Sequence, residues 1–232
     1  MKRNSLSIVL PIHNAADRLA TLVAEGLALA AHHSADYELI LALDGADEAT
    51  ERQAISLAAT HAPVALLRSP QRRGFYATLW NAWGAARGDL ILAIDHQQVA
   101  VAEAAKLLAA ADGHALVLAY RLPAPVDLSS ALAIIAPSRA AREPRDPTLR
   151  LFLVQSELRD LLASPGPGQL VGRELFHGAR RRGLPLAQVV VAGKTRGGVG
   201  ADQRHRATVG VGMLIVAGAL WMLRRWLPNG RQ

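Results

Sequence analysis

Apolar positions along the first 120 or so residues fall into two alternating kinds of segment. Short unbroken runs such as "LSIVLPI", "YELILALD" ending at Asp44, "PVALLR" and "DLILAID" ending at Asp95 read as strands buried on both faces. Between them, apolar residues recur at helical spacing. Leu19, Leu22, Val23, Leu27 and Ala30 share one face, with Asp17 in the first turn. An alanine-rich helix follows Asp44, and Phe75, Leu79, Trp83 and Ala86 form another stripe. A helix over residues 101–111 leads to the strand "HALVLAYR". This alternation predicts an α/β domain with a mainly parallel central sheet.

After Arg121 the regularity is lost. Pro123, Pro125, Pro137, Pro144 and Pro147 punctuate an arginine-rich stretch that reads as loops around an acceptor face. "LVQSELRDLLAS" and "LVGRELFHGARRRG" read as helices, and "LPLAQVVVAG" as an edge strand. The basic joint "KTRGGVGADQRHR" precedes residues 207–223, which carry no charge. Arg204 and Arg206 flank that run on one side and Arg224 and Arg225 on the other, with Trp221 and Trp226 placed as interfacial anchors. Its length sits at the lower limit of about 17 residues for a spanning helix. The expected organisation is a domain over residues 1–193, a basic juxtamembrane joint over 194–206 and a C-terminal membrane-anchoring helix over 207–226, spanning or embedded. A buried core helix is the alternative for that last segment.

Composition narrows the partners. The chain has 232 residues, 51% of them hydrophobic, and a formal charge of +7. Such a balance favours phosphates, nucleotides and acidic lipid surfaces. Aromatic residues make up only 4%, too few for base-stacking platforms, so no nucleic-acid partner is expected. With no cysteine there is no disulfide framework, thiolate nucleophile or zinc cluster to consider.

Ligands of open parallel sheets bind beyond the carboxyl ends of the strands. His13 with Asn14, Asp44, Asp95 and Arg121 all stand at such ends. Each alone is what a turn also uses; together they mark one rim.

At these positions the chain resembles nucleotide-sugar glycosyltransferases of family two, most closely the dolichyl-phosphate mannose synthase type. "SIVLPIHNAADRL" is similar to the family's Pro-x-Tyr-Asn-Glu opening, keeping Pro11 and Asn14 but not the tyrosine or glutamate. "ALDGADEAT" keeps Asp44, Gly45 and Thr50, with Leu43 where the first of two acids stands in the family and Glu48 in place of the later one. "RRGFYATLWNAWGAARGDLILAID" matches a longer signature at Gly74, Ala77, Leu79, Ala86, Gly88, Asp89 and Asp95. "LAYR" keeps Arg121, and "RDPTLRLF" keeps Asp146, Pro147 and Thr148 but carries Leu149 and Arg150 for Ser-Gly. The Asp-x-Asp motif is reduced to Asp95-His96-Gln97.

The resemblance implies a nucleotide-binding domain of GT-A type. It would move a sugar from a UDP- or GDP-sugar to a polyprenyl phosphate at a membrane, with inversion and with the catalytic domain on the cytoplasmic face. By the same resemblance Asp44 would contact the nucleoside, and Pro11, Asn14, Gly45 and Gly74 would shape that pocket. Asp95 would face the pyrophosphate and its metal, and Arg121 and Asp146 would line the sugar and acceptor side. A divalent cation, magnesium or manganese, is expected on Asp95 and Gln97, held weakly or dispensable. A glutamine carbonyl still ligates a hard cation, but one charge is missing from the cage. His96 would suit manganese, or merely fill a solvated turn. Arg72 and Arg73 would neutralise the diphosphate or simply keep the surface soluble.

A lipid phosphate arrives anionic and needs no general base, so a lost acid is tolerable for that acceptor. Arg196 and Arg204 beside the apolar run would meet the acceptor phosphate, or lipid headgroups generally. Trp80 and Trp83 read first as packing groups. The accumulated substitutions also fit a degenerate relative acting as a membrane-bound partner or regulatory subunit, which leaves room for a membrane-protein partner.

Overall fold

The computed structural model describes residues 5–121, 144–161 and 170–194. They form one seven-stranded sheet with the strand order β3-β2-β1-β4-β6-β5-β7. The strands are β1 (Leu6–Ile12), β2 (Tyr37–Asp44), β3 (Val64–Ser69), β4 (Leu90–Ile94), β5 (Leu116–Tyr120), β6 (Leu151–Gln155) and β7 (Leu186–Val190). The helices are α1 (Leu19–His33), α2 (Glu48–Thr60), α3 (Phe75–Ala85), α4 (Ala105–Ala109) and α5 (Val171–Arg181). Only β6 runs against its neighbours, so the expected mainly parallel α/β sheet is present.

The strands read as unbroken apolar runs because both faces are covered. Leu6, Ile8, Leu10 and Ile12 of β1 pack with Leu39, Leu41 and Leu43 of β2 against Leu19, Leu22 and Val23 of α1. Val9, Ile40 and Ala42 point the other way, into a second layer with Leu79 and Trp83 of α3 and Leu175 and Phe176 of α5. Trp83 is buried with its ring centroid 5.9 Å from that of Phe152, in the packing role expected of it. Helix α2 is capped by Asp47, whose side chain accepts from Thr50 N at 2.8 Å.

Three local readings need correction. The segment "LVQSELRDLLAS" does not begin as a helix. Leu153–Gln155 belong to β6, and of its remaining described residues Ser156–Leu161 form a 3-10 helix with a kink at Leu158. Phe152 and Val154 fill one face while Leu151 and Leu153 fill the other, so a strand buried on both sides mimics a helical apolar run. The helix expected over 101–111 is a 3-10 turn at Val101–Ala104 followed by the short α4. Asp17 precedes α1, which begins at Leu19. The edge-strand reading of "LPLAQVVVAG" matches β7.

Candidate active site

All the parallel strands end at one rim, and the reversed β6 begins there. Residues 145–150 therefore join those that follow β1, β2, β4 and β5.

On the β1–β2 side the polar groups fasten one another. His13 donates through Nδ1 to the Asp44 carbonyl at 2.8 Å. Asn14 Oδ1 accepts from Asp47 N at 2.9 Å, which ties the turn after β1 to the start of α2. Pro11 lies within β1 opposite Ala42. The Asp44 carboxylate is buried and accepts from Arg73 N at 2.6 Å and from Gly74 N at 3.0 and 3.2 Å. It therefore caps the N-terminus of α3, whose own cap position is Gly74 at φ +88°. Gly45 has φ +58°, and a Cβ there would lie 2.5 Å from Arg72 N. No other residue tolerates both the left-handed backbone and that approach.

At the centre, the antiparallel register pairs Ile94 with Leu151. The next step along that ladder sets Asp95 against Arg150, with Asp95 N donating to Arg150 O at 2.8 Å. Asp95 is 6% exposed. Its Oδ1 accepts from Gln97 N at 3.0 Å, and its Oδ2 receives Arg150 Nη1 at 3.2 Å. The guanidinium also stacks over the Phe75 ring, 4.7 Å from its centroid. Gln98 Oε1 accepts from Arg150 N at 2.9 Å. Gln97 itself is exposed and reaches Asp95 only through its backbone.

Next to Asp95, His96 is buried, and its Nδ1 has no hydrogen-bond partner among the described residues. Burial, above all, lowers its pKa; Asp95 opposes this, and Arg18 and Lys194 add to it. Lys194 donates to the His96 carbonyl at 2.8 Å and has its own pKa lowered by burial and by Arg18.

On the β5 side, Arg121 grips Asp146 with two bonds, Nε to Oδ2 at 2.7 Å and Nη2 to Oδ1 at 3.2 Å. Thr148 completes the group, donating to Asp146 Oδ1 at 2.8 Å and accepting from Arg121 Nη2 at 3.1 Å. Burial works to raise the Asp146 carboxyl, but the hydrogen bonds from Arg121 and Thr148 outweigh it and hold the acid below its ordinary range. Gly193 lies against the Arg121 side chain so closely that any Cβ would collide with it. The residues expected at the rim thus form linked sets, except Arg196 and Arg204, which lie outside the described residues. So does the apolar run. Among the described residues no helix is long and apolar enough to cross a membrane.

Residues 7–122, half of the chain, match the model of glycosyl transferase family 2. The chain belongs to this family. No curated protein matches it in sequence. Among solved structures it is similar to glucosyl-3-phosphoglycerate synthase of Mycobacterium tuberculosis in several complexes. The one with Mn2+, UDP and phosphoglyceric acid is 22% identical, at TM-score 0.59, over 84% of this chain and 72% of that one. The one with Mn2+, UDP-glucose and phosphoglyceric acid is 24% identical, at TM-score 0.59, over 84% and 73%. The one with Mg2+ and UDP is 21% identical, at TM-score 0.57, over 84% and 73%. The family 2 chain described here shares their α/β fold of GT-A type.

Does this family 2 site suit a divalent cation? The donor set argues against it. Among the described residues no three His, Asp or Glu side chains gather to hold a metal. The one carboxylate at the centre, Asp95, already carries a guanidinium, and the adjacent charges on His96 are Arg18 and Lys194. A cation 4 Å from another meets about 4 kcal/mol of repulsion per unit charge at an effective dielectric near 20, less where solvent screens the half-exposed arginine. The expected Asp95–Gln97 pair does not supply a cage that overcomes this.

Sequence reasoning missed Arg150 as a site residue, along with Gln98 and Phe75 that position it. The signal was present: an arginine stands where the family motif has glycine, immediately before an apolar run.

Proposed function

We propose that the protein is an inverting glycosyltransferase of the dolichyl-phosphate mannose synthase type. It moves a sugar from a UDP- or GDP-sugar to a polyprenyl phosphate or related lipid phosphate. Residues 207–226 anchor it, with the catalytic domain on the cytoplasmic face of the membrane. The observation carrying this reading is the convergence at one rim of Asp44, Asp95, and the Arg121–Asp146–Thr148 set. Membership of family 2 and the UDP-bearing neighbours support a nucleotide-sugar donor.

In this reading the nucleoside lies toward Asn14, Asp44, Gly45 and Gly74, and the diphosphate lies over Asp95. The acceptor phosphate oxygen attacks the anomeric carbon, the bond from that carbon to the diphosphate oxygen breaks, and the nucleoside diphosphate leaves with the electron pair. The attacking oxygen is already ionised, so no side chain need remove a proton. Catalysis then rests on positioning and charge. The Arg121–Asp146–Thr148 set orients the sugar side. Lys194, held on the Asp95–Gln98 loop, starts the basic segment containing Arg196 and Arg204. That segment leads to the apolar run, which suits an acceptor presented at a lipid surface.

The test is transfer of labelled sugar from UDP- and GDP-sugars, with polyprenyl phosphate in vesicles or 3-phosphoglycerate as acceptor. Product in the lipid phase that disappears in Asp95→Asn is the expected result. Transfer to 3-phosphoglycerate alone would replace the acceptor, and no transfer with no calorimetric binding of either nucleotide would remove the donor.

One observation favours a second reading, a family 2 relative without catalysis that serves as a membrane-bound partner. Asp44 and Asp95 are each only 6% exposed and already have hydrogen-bond partners. Under that reading Asp95→Asn leaves the protein's cellular role intact.

A further inference from the structure

We propose that Arg150 is the resident cation of the donor site, its guanidinium receiving the diphosphate oxygens of the nucleotide in place of a divalent metal. This rests on the nucleotide-sugar reading above and specifies how that site binds the leaving group.

Three features of the geometry point to it. First, the position is fixed by the backbone. The β4–β6 register sets residue 150 opposite Asp95, Asp95 N donates to its carbonyl, and Gln98 accepts from its amide. Second, the guanidinium is oriented from two sides. Nη1 rests on Asp95 Oδ2 at 3.2 Å and the plane lies over Phe75, while Nε and Nη2 make no hydrogen bond among the described residues. The side chain is 47% exposed, so a ligand at the rim can reach it. Arginine presents its donors in a rigid fork that matches phosphate oxygens, which an ammonium does not. Third, the local charge is already positive. Lys194, Arg18 and Arg150 outnumber the acids that face them, Asp95 and Glu25. A nucleoside diphosphate meets there the excess positive charge that a metal would otherwise bring.

Asp95 acquires a different task in consequence. It aims a guanidinium at the diphosphate instead of ligating a cation, and it is a positioning residue. The loss of the second acid at Gln97 is then coherent with the gain of Arg150, because a second carboxylate would neutralise the cation.

The experiment measures two things on the full-length protein and on Arg150→Gly, Arg150→Lys and the double variant Arg150→Gly/Asp95→Asn. Circular dichroism melts confirm that each is folded. Calorimetry with UDP and with GDP is run in EDTA and again in Mn2+, and Mn2+ binding without nucleotide is read by electron paramagnetic resonance. The expected wild-type result is nucleotide binding of equal strength in EDTA and in Mn2+, with no bound Mn2+ in the resonance spectrum. Arg150→Gly should bind nucleotide at least about tenfold more weakly in EDTA, the scale of a lost charge-assisted pair. Mn2+ should not restore it, because among the described residues no cluster of acids or histidines joins Asp95 to hold the ion, and neither this variant nor the double variant should give a Mn2+ signal. Arg150→Lys should fall between. Wild-type binding that occurs only with Mn2+, or Arg150→Gly binding as tightly as wild type in EDTA, overturns this inference and leaves the donor reading standing. Silence with both nucleotides in every arm overturns the donor reading, and this inference with it.

Discussion

The carboxylate of Asp44 holds Gly74 through both of its oxygens, with the Gly74 amide 3.2 Å from Oδ1 and 3.0 Å from Oδ2. The same Oδ1 takes the Arg73 amide at 2.6 Å. The end of β2 is thereby welded to the beginning of α3, and two amides with no intrahelical partner are satisfied. Removing the acceptor leaves them unpaired near a buried position. Asp44→Ala is expected to destabilise the fold by about 1–3 kcal/mol, and Asp44→Asn by less because one oxygen remains. Urea denaturation of the three proteins measures the difference.

Two glycines of opposite character make a second prediction. Gly45 combines a left-handed backbone with backbone atoms of Arg72 at 2.5 Å from any added Cβ, whereas Gly84 sits inside α3 with open space around it. Gly84→Ala is expected to stabilise by about 0.5–1 kcal/mol through helix propensity. Gly45→Ala is expected to destabilise by more than about 1 kcal/mol, from the left-handed backbone alone. Opposite shifts in melting temperature are the result to look for, and equal shifts would contradict the geometry.

The acid limb of stability should depend on Asp146. Its carboxyl is held below the ordinary carboxylate value of about 3.9 through the bonds from Arg121 and Thr148, which outweigh its burial. The unfolded chain therefore takes up a proton at a higher pH than the folded one. This contribution is complete above about pH 4 and is lost as pH falls through the lower folded value. Asp146→Asn should be less stable than wild type at neutral pH, and the two should converge as the solution becomes acid. Denaturation midpoints at about pH 7, 4 and 3 test this.

His96 acts in the other pH range. Burial keeps its folded form neutral, and Arg18 and Lys194 help. Below the unfolded value of about 6.5 the denatured chain gains a proton that the folded imidazole refuses, so stability declines from there down to the folded value. His96→Leu removes this term. Between about pH 7.5 and 5.5 it should lose less stability than wild type. Equal losses in the two proteins would show that His96 takes no part.

Much of this was legible in the residues. Unbroken apolar runs ending in Asp44 and Asp95 gave the parallel strands, because a strand covered on both faces admits no polar alternation. The same property hid β6. Leu151–Val154 is apolar on both faces, and its last two residues, Leu153 and Val154, read as the start of a helix. Strand-end acids located the rim, yet their partners stayed invisible. The pairing of Asp95 with Arg150 joins positions 55 apart in sequence, and it exists only through an antiparallel register that no local pattern encodes. The union of Arg121 with Asp146 was expected as a shared side of the site, but its bidentate form and its contact with Gly193 required coordinates.

The reversal of β6 divides labour between the halves of the chain. A strand of five residues rises about 16 Å, so entering from the other direction would have stranded residues 145–150 at the far end of the sheet. Instead the later half of the sequence meets the earlier half head to head. Replacing one side chain at that meeting point retunes the charge of the rim while the parallel strands keep their own packing.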